Sequence, residues 1–138
     1  MFIGYLEPWS RTGGSLSEPL TTLFRPVGQK ELDLIAATGF ARFPPRLPSQ
    51  PIFYPVVTEP YAVEIARDWN TRDEASGYAG YVLRFRVETE FLARYPERIA
   101  GAARHRELWV PAEDLDEFNR HIRGPIEVIV EFRDVRAS

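Results

Sequence analysis

Few residues of this chain are suited to covalent or metal chemistry. Among its 138 residues there is no cysteine, and its two histidines, His105 and His121, are far apart in sequence and do not stand at a metal-ligand spacing. The sequence contains no G-x-S-x-G nucleophile elbow, no G-x-G-x-x-G loop and no Walker A loop. We therefore expect no metal, no cysteine or elbow-type serine nucleophile, and no glycine cradle for a nucleotide.

Arginine supplies nearly all of the positive charge, and Lys30 is the only lysine. A guanidinium binds phosphate or carboxylate through paired hydrogen bonds, but the base composition of a genome can produce the same bias. The formal net charge is −3, whereas a general nucleic-acid binder is basic over much of one face. Nucleic acid is therefore a disfavoured partner.

Three short segments, each predicted as a strand followed by a helix, carry the other residues of chemical interest. The first runs from Leu23 to Gly28 and contains Arg25. The second, Ile52 to Pro55, is aromatic. The third runs from Arg106 to Pro111 and has Glu107 near its start.

The order of these segments resembles the layout of the ADP-ribosyltransferase superfamily. There, a first strand supplies an Arg or His that holds NAD, a second supplies a wall beside the nicotinamide, and a late strand supplies the catalytic Glu. The phrases FRPVGQKELDLIA, FPPRLPSQPIFYPV, YAVEIARDWN and HRELWVPAEDLDEFN also look similar to small bacterial proteins that carry the name ADP-ribosylation/crystallin J1. The second half of that name refers to larger, all-helical hydrolases with acidic metal ligands, which this sequence does not match. The transferase layout covers most of residues 23–132.

The resemblance implies a role for each candidate residue. Glu107 would be the catalytic carboxylate, which stabilises the positive charge that develops on the ribose when the nicotinamide bond breaks. Arg25, with Arg46 as a second candidate, would bind the pyrophosphate. Aromatic rings would enclose the flat nicotinamide, and the candidates for this are Phe53, Tyr54 and Tyr61.

The sequence departs from the family pattern at two places. The family's S-T-S style strand is replaced by the segment from Phe53 to Thr58. Glu107 has no companion acid two residues earlier, where His105 stands. Because the arginine-directed transferases depend on that paired acid, the second departure argues against this class.

Each assignment also has a simpler structural alternative. Arg25 would then pair with a surface carboxylate, Glu107 would be an ordinary strand residue, and Phe53 and Tyr54 would belong to the core and its rim. Trp109 is expected to pack against the third predicted helix.

Three helices are predicted to position these residues. The first spans Gln29 to Thr38 and ends before Gly39. The second begins after Thr58, with Pro60 in its first turn and apolar residues at helical spacing. The third spans Ala112 to Ile122 and stops at Gly124-Pro125.

Strands are predicted between the helices. The pattern of Phe91 to Tyr95 fits either a strand or a helical turn. The segment from Phe43 to Pro48 is predicted to be an extended proline-rich loop. The predicted strands are Leu23–Arg25, Ile52–Val57, Tyr81–Val87, Leu108–Val110 and Ile126–Phe132. The order of elements favours an α+β fold with about three helices and a mixed or antiparallel split sheet, like that of the ADP-ribosyltransferases.

Composition favours one globular domain, since 44% of the residues are hydrophobic and 27% charged. We expect residues 1–21 to form an arm and residues 22–138 the domain. No apolar run is long enough to span a membrane, and the first 14 residues do not follow a signal-peptide pattern. With the lack of cysteine, this favours the cytoplasm.

Three functional hypotheses follow. The first is an NAD-dependent ADP-ribosyltransferase that uses NAD as substrate and modifies an unknown acceptor, such as a protein, or hydrolyses NAD. The second is a non-catalytic interaction module on the same fold, and the third is a relative that processes a phosphorylated RNA end. Convergence of Arg25, Tyr54 and Glu107 in one cleft would favour the enzyme; an outward-turned Glu107, or a cleft filled by side chains, would favour the module.

Overall fold

The longest apolar alternations of the sequence form the central sheet. In the computed structural model, which describes residues 18–102 and 105–137, β1 (Leu20–Val27) and β7 (Ile122–Arg133) each pair antiparallel with β3 (Ala79–Glu88). Two short antiparallel pairs complete the strands: β2 (Ile52–Phe53) with β6 (Val110–Pro111), and β4 (Glu97–Ile99) with β5 (Arg106–Leu108).

The described residues form four α-helices: α1 (Gln29–Ala36), α2 (Glu59–Asp68), α3 (Thr89–Leu92) and α4 (Leu115–Arg120). Helices combined with antiparallel strands confirm the predicted α+β class. None of the helices in this described part combines the length and apolarity that crossing a bilayer requires.

Helix α2 covers one face of the sheet through small residues. Ala62 and Ala66 are fully buried and pack against Val82 of β3. Gly80 of β3 allows the closest approach, because a Cβ atom there would lie 2.2 Å from the carbonyl oxygen of Ala66. The helix is therefore held tightly over β3.

The opposite face of the sheet carries the aromatic core. Phe85 of β3 lies 4.8 Å from Phe43 and 6.2 Å from Phe118, measured between ring centroids. Phe53 of β2 packs against both of these neighbours, at 5.0 and 5.4 Å. The loop before β2 and helix α4 are thus joined to the sheet by ring contacts worth about 0.5–1.5 kcal/mol each beyond their buried area.

Val56 links the three-stranded sheet to the short strands. Its N–H and C=O bond to the carbonyl and amide of Phe24 in β1, at 2.8 and 2.9 Å. On its other side, Val56 forms a bridge with Glu107 of β5, flanked by a hydrogen bond from the amide of Leu108 to the carbonyl of Pro55. The chain around Val56 therefore lies between β1 and β5.

The third predicted helix is too long. Residues Ala112–Asp114 form a 3₁₀ turn, α4 ends at Arg120, and Ile122 already begins β7. Gly124, predicted to stop the helix, lies inside β7 with a φ of +81°, where the register against β3 shifts. A glycine in this left-handed region permits a strand irregularity as readily as a helix end, and burial of Ile122 and Ile126 favours the strand.

Two predicted strands are each divided in two. In the predicted Ile52–Val57 strand, only Ile52 and Phe53 pair with β6. Pro55 has no N–H to continue this pairing, and Val56 pairs with Phe24 of β1 instead. The Leu108–Val110 segment is interrupted at Trp109, between β5 and β6. A local pattern contains no information on such changes of partner.

The other predicted elements differ mainly at their ends. Helix α1 ends two residues before the predicted Thr38, and the Phe91–Tyr95 region begins as the short α3. Strand β1 begins at Leu20, inside the predicted arm, and residues 1–17 of that arm lie outside the described residues.

The proline-rich loop is fixed at its start by one asparagine. Asn119 of α4 accepts a hydrogen bond from the amide of Phe43 at 2.9 Å and donates one to its carbonyl at 3.0 Å. Both polar groups of the Phe43 backbone are therefore satisfied by one side chain, immediately before Pro44 denies the loop a donor.

Replacing Asn119 with Ala should destabilise the protein by about 1–3 kcal/mol, since it leaves two partly buried backbone groups without partners. Urea denaturation measures this loss. Glu117→Ala on the same helix is the control, because it removes only an exposed ion pair to Arg94 and should cost about 0–1 kcal/mol. Equal losses in the two variants would show that the asparagine does not anchor the loop.

Candidate functional site

Arg25 lies on the core side of β1, where a buried positive charge needs an opposite charge or hydrogen-bond acceptors beside it. It is 8% exposed, and its guanidinium forms a bidentate pair with Glu31 of α1, with Nε–Oε2 at 2.6 Å and Nη2–Oε1 at 3.0 Å. Nη1 donates to the carbonyl of Tyr54 at 3.3 Å, and the guanidinium carbon lies 4.6 Å from the ring centroid of Phe53. Arg25 is therefore fixed in position before any ligand arrives.

Glu107 on β5 is also 8% exposed and has a donor on each carboxylate oxygen. The Tyr61 hydroxyl donates to Oε2 and the indole Nε1 of Trp109 donates to Oε1, both at 2.9 Å. A carboxylate has about four acceptor positions, so two are left for a ligand.

Arg25, Tyr54 and Glu107 line the same cavity. Its volume is about 330 Å³, near the lower end of the range of about 300–1,000 Å³ for ligand sites. It is completed by Pro26, Val56, Ile65 of α2 and Trp109. Glu107 is not turned outward, and it shares this cavity with Arg25 and Tyr54.

Two aromatic rings form the outer wall of this cavity. Tyr54 and Trp109 meet edge to face, with centroids 5.9 Å apart and ring planes at 88°. They are 37% and 41% exposed, and the guanidinium of Arg98 lies 4.6 Å from the Trp109 ring centroid. Both rings thus combine a fixed position with an accessible face. The expectation that Trp109 packs against the third helix was wrong.

Phe53 and Arg46 lie outside this cavity. Phe53 is 1% exposed and belongs to the aromatic core, because neighbouring residues of a strand point to opposite faces and Tyr54 takes the outer one. Arg46 donates to the carbonyl of Ile52 at 3.2 Å and lines a second cavity of about 480 Å³, which shares Arg25 and Pro26 with the first. Burial, and then the charge of Arg25, lower the pKa of Arg46.

Tyr61 contacts the carboxylate rather than the open cavity. Its ring is stacked on His105, at 4.5 Å between centroids and 11° between planes, so that face cannot receive a nicotinamide. Burial and the hydrogen bond to Glu107 raise the pKa of Tyr61 to about 12. Tyr61 thus holds Glu107 and does not form a wall.

Sequence reasoning missed the partners that hold the two charged residues. Glu31 lies six residues after Arg25, a spacing without a known signature. Trp109 and His105 lie two residues to either side of Glu107, and a period of two places strand residues on one face. That period was the signal by which both could have been found.

Among the described residues, no three His, Asp or Glu side chains converge to hold a metal ion. A comparison of the chain with protein-family models finds no match, and a comparison with curated proteins finds none either.

The raised pKa of Tyr61 predicts alkaline destabilisation. The folded chain keeps this phenol protonated up to about pH 12, whereas the unfolded chain loses the proton near the ordinary value of 10.0. Because the unfolded state then binds fewer protons, the free energy of unfolding should fall as the pH rises from 10 toward 12.

Urea denaturation at pH 9 to 11.5 measures this slope. Tyr61→Phe should reduce it, and Tyr61→Phe with Tyr95→Phe should reduce it further, because burial and Asp114 likewise raise the pKa of Tyr95 to about 12. A Tyr61→Phe slope as steep as that of the wild type would contradict the raised pKa of Tyr61.

Proposed function

We propose that this protein is an NAD-dependent enzyme of the ADP-ribosyltransferase type, which transfers ADP-ribose from NAD to an acceptor or to water. One observation carries the proposal: Arg25 and Glu107, which are 82 residues apart in sequence, line one cavity with an aromatic wall between them. An anion-binding fork, a flat apolar surface and a buried carboxylate together match the three chemically different parts of the NAD nicotinamide half.

Glu107 has a direct part in the proposed chemistry. The C–N bond between ribose and nicotinamide breaks, and both electrons leave with the nicotinamide, which becomes neutral. Positive charge develops on the ribose, where the carboxylate stabilises it and accepts a hydrogen bond from the 2-hydroxyl. The acceptor then forms the new bond at the same carbon with its lone pair and loses a proton.

Arg25 suits the pyrophosphate because its orientation is fixed and its donors are only partly used. Three of its five N–H groups bond to Glu31 and Tyr54, which leaves two. The second cavity adjoins it through Arg25 and Pro26 and brings Arg46 and Lys30 nearby. In this proposal an extended dinucleotide spans both cavities with its pyrophosphate beside these cations, and Glu31 and Asp73 also line the second cavity.

Tyr54 and Trp109 are proposed to hold the nicotinamide. Their exposed rings offer stacking and edge contacts; of the three candidates from the sequence, Phe53, Tyr54 and Tyr61, the proposal keeps Tyr54 and adds Trp109. The reaction uses no metal in this proposal. We place it in the cytoplasm, and the net charge of −3 favours a protein or small-molecule acceptor over nucleic acid.

A non-catalytic interaction module is the second candidate. The observation that favours it is that Arg25 and Glu107 both have partners inside the chain without any ligand. In that case the two residues stabilise the junction between β1 and β5, and NAD neither binds nor reacts.

Glu107→Gln should separate binding from turnover. The amide oxygen still accepts from Trp109 and its NH₂ group can donate to the Tyr61 oxygen, so fold and NAD affinity should persist. Nicotinamide release should fall by about two to three orders of magnitude, because the charge is needed only in the transition state.

Nicotinamide release from NAD without an added acceptor measures this effect, and calorimetry measures affinity. Glu117→Gln, an exposed residue of α4 paired with Arg94, is the matched control and should behave as the wild type. A wild-type protein that binds no NAD at millimolar concentration would favour the module.

Glu31→Gln should increase NAD affinity, because it frees the Arg25 guanidinium from a competing carboxylate while an amide oxygen can still accept from it. The paired variant Arg25→Gln/Glu31→Gln leaves no unpaired charge and should weaken binding about tenfold or more. Calorimetric titration distinguishes the two variants. Equal NAD affinity in Glu31→Gln and in the paired variant would show that Arg25 does not bind NAD.

A further inference from the structure

We infer that Tyr61 is a positioning residue for Glu107, and that His105 holds Tyr61 in place between helix α2 and strand β5. The inference rests on the proposed function, since it assigns a residue to that reaction. It also replaces the nicotinamide-wall role for which Tyr61 was one of three candidates in the sequence.

The first observation is the rigidity of the position from which Tyr61 acts. Its neighbour Ala62 is fully buried against the sheet, and Ala66 one turn later is in contact with Gly80. Tyr61 is itself 9% exposed. Its hydroxyl is therefore directed at Glu107 Oε2 from an element with little freedom to move.

The second observation is that the two donors occupy different oxygens of Glu107. Tyr61 binds Oε2 and Trp109 binds Oε1, so rotation of the carboxylate would break both bonds. Trp109 is much more exposed than Tyr61. Tyr61 is thus the inner, more constrained of the two anchors, and it sets the plane in which Glu107 meets a ribose hydroxyl.

The third observation is the support behind Tyr61. The imidazole of His105 covers its ring, and His105 Nε2 lies 3.2 Å from Glu64 Oε1. Glu64 is one turn beyond Tyr61 on α2, while His105 is two residues before Glu107. The histidine therefore joins the helix that carries the donor to the strand that carries the acceptor.

Tyr95 provides a matched control. Its hydroxyl donates to Asp114 at 2.8 Å, its ring is 7% exposed, and its pKa is likewise raised to about 12. Asp114 does not line the cavity of Glu107. Tyr61→Phe and Tyr95→Phe thus remove the same type of bond, one inside the site and one outside it.

In acceptor-free nicotinamide release, Tyr61→Phe should lower kcat about 10- to 100-fold with little change in KM for NAD. Tyr95→Phe should lose comparable thermal stability and keep the wild-type kcat. Equal kcat in wild type and Tyr61→Phe would overturn the positioning role and leave the proposed function standing. Equal loss of kcat in both variants would also overturn it, because the effect would then be one of stability.

A readout without turnover separates this inference from the proposed function. The Trp109 indole N–H reports on the same carboxylate, and its NMR signal is identified by its loss in Trp109→Phe. Tyr61→Phe should shift this signal and Tyr95→Phe should not. An unmoved signal in Tyr61→Phe would show that Tyr61 does not orient Glu107. If the wild type releases no nicotinamide, the proposed function is wrong, and the orientation of Glu107 by Tyr61 then has no role in catalysis.

Discussion

Backbone pairing of Val56 is the interaction on which the candidate site depends. Val56 pairs with Phe24 on one side and Glu107 on the other, so three segments from distant parts of the chain meet within two strand spacings. Since adjacent strands lie about 4.7–4.9 Å apart, Arg25 next to Phe24 is brought within about 10 Å of the Glu107 backbone. Pro51 and Pro55 both precede Val56, and because proline has no N–H to donate they keep the backbone pairing of this part of the chain short.

Both charged residues of the site are buried and both are compensated, but by different means. Arg25 has an opposite charge in Glu31, whereas Glu107 has two neutral donors. Neutral donors hold a carboxylate in position without cancelling its charge. Arg25 carries its counter-ion with it, and an arriving anion must compete with Glu31 for the guanidinium. Within the described part of the chain, the charge of Glu107 is therefore not neutralised, whereas that of Arg25 is neutralised by Glu31.

The sequence alone was enough to predict the longer elements, but not which segments pair with one another. Period-two alternation found β3 and most of β7, and the spacing of Ala62 and Ala66 found α2, because these elements repeat their pattern over several residues. Strand β2 and the interruption at Trp109 depend on contacts with remote segments, which a local pattern does not contain. The same limit applies to the site. The order of the segments along the chain was enough to predict that Arg25, Tyr54 and Glu107 share a cleft, and they line one cavity. Phe53, Tyr61 and Arg46 lie outside that cavity, because their positions depend on contacts that a local pattern does not contain.

Among the described residues, the twelve-residue strand β7 is an edge strand of the three-stranded sheet, and the amide of Ile126 within it bonds to the carbonyl of Phe40 at 2.9 Å. An uninterrupted edge of this length would expose a row of backbone donors and acceptors to other chains. Pro125 removes one donor, the two register shifts bend the strand, and alternating charges at Glu131 and Arg133 lie along its outer half. The irregularity around Gly124 thus also interrupts the regular row of donors and acceptors that another chain would need in order to pair with β7, while the other edge of β7 stays paired with β3.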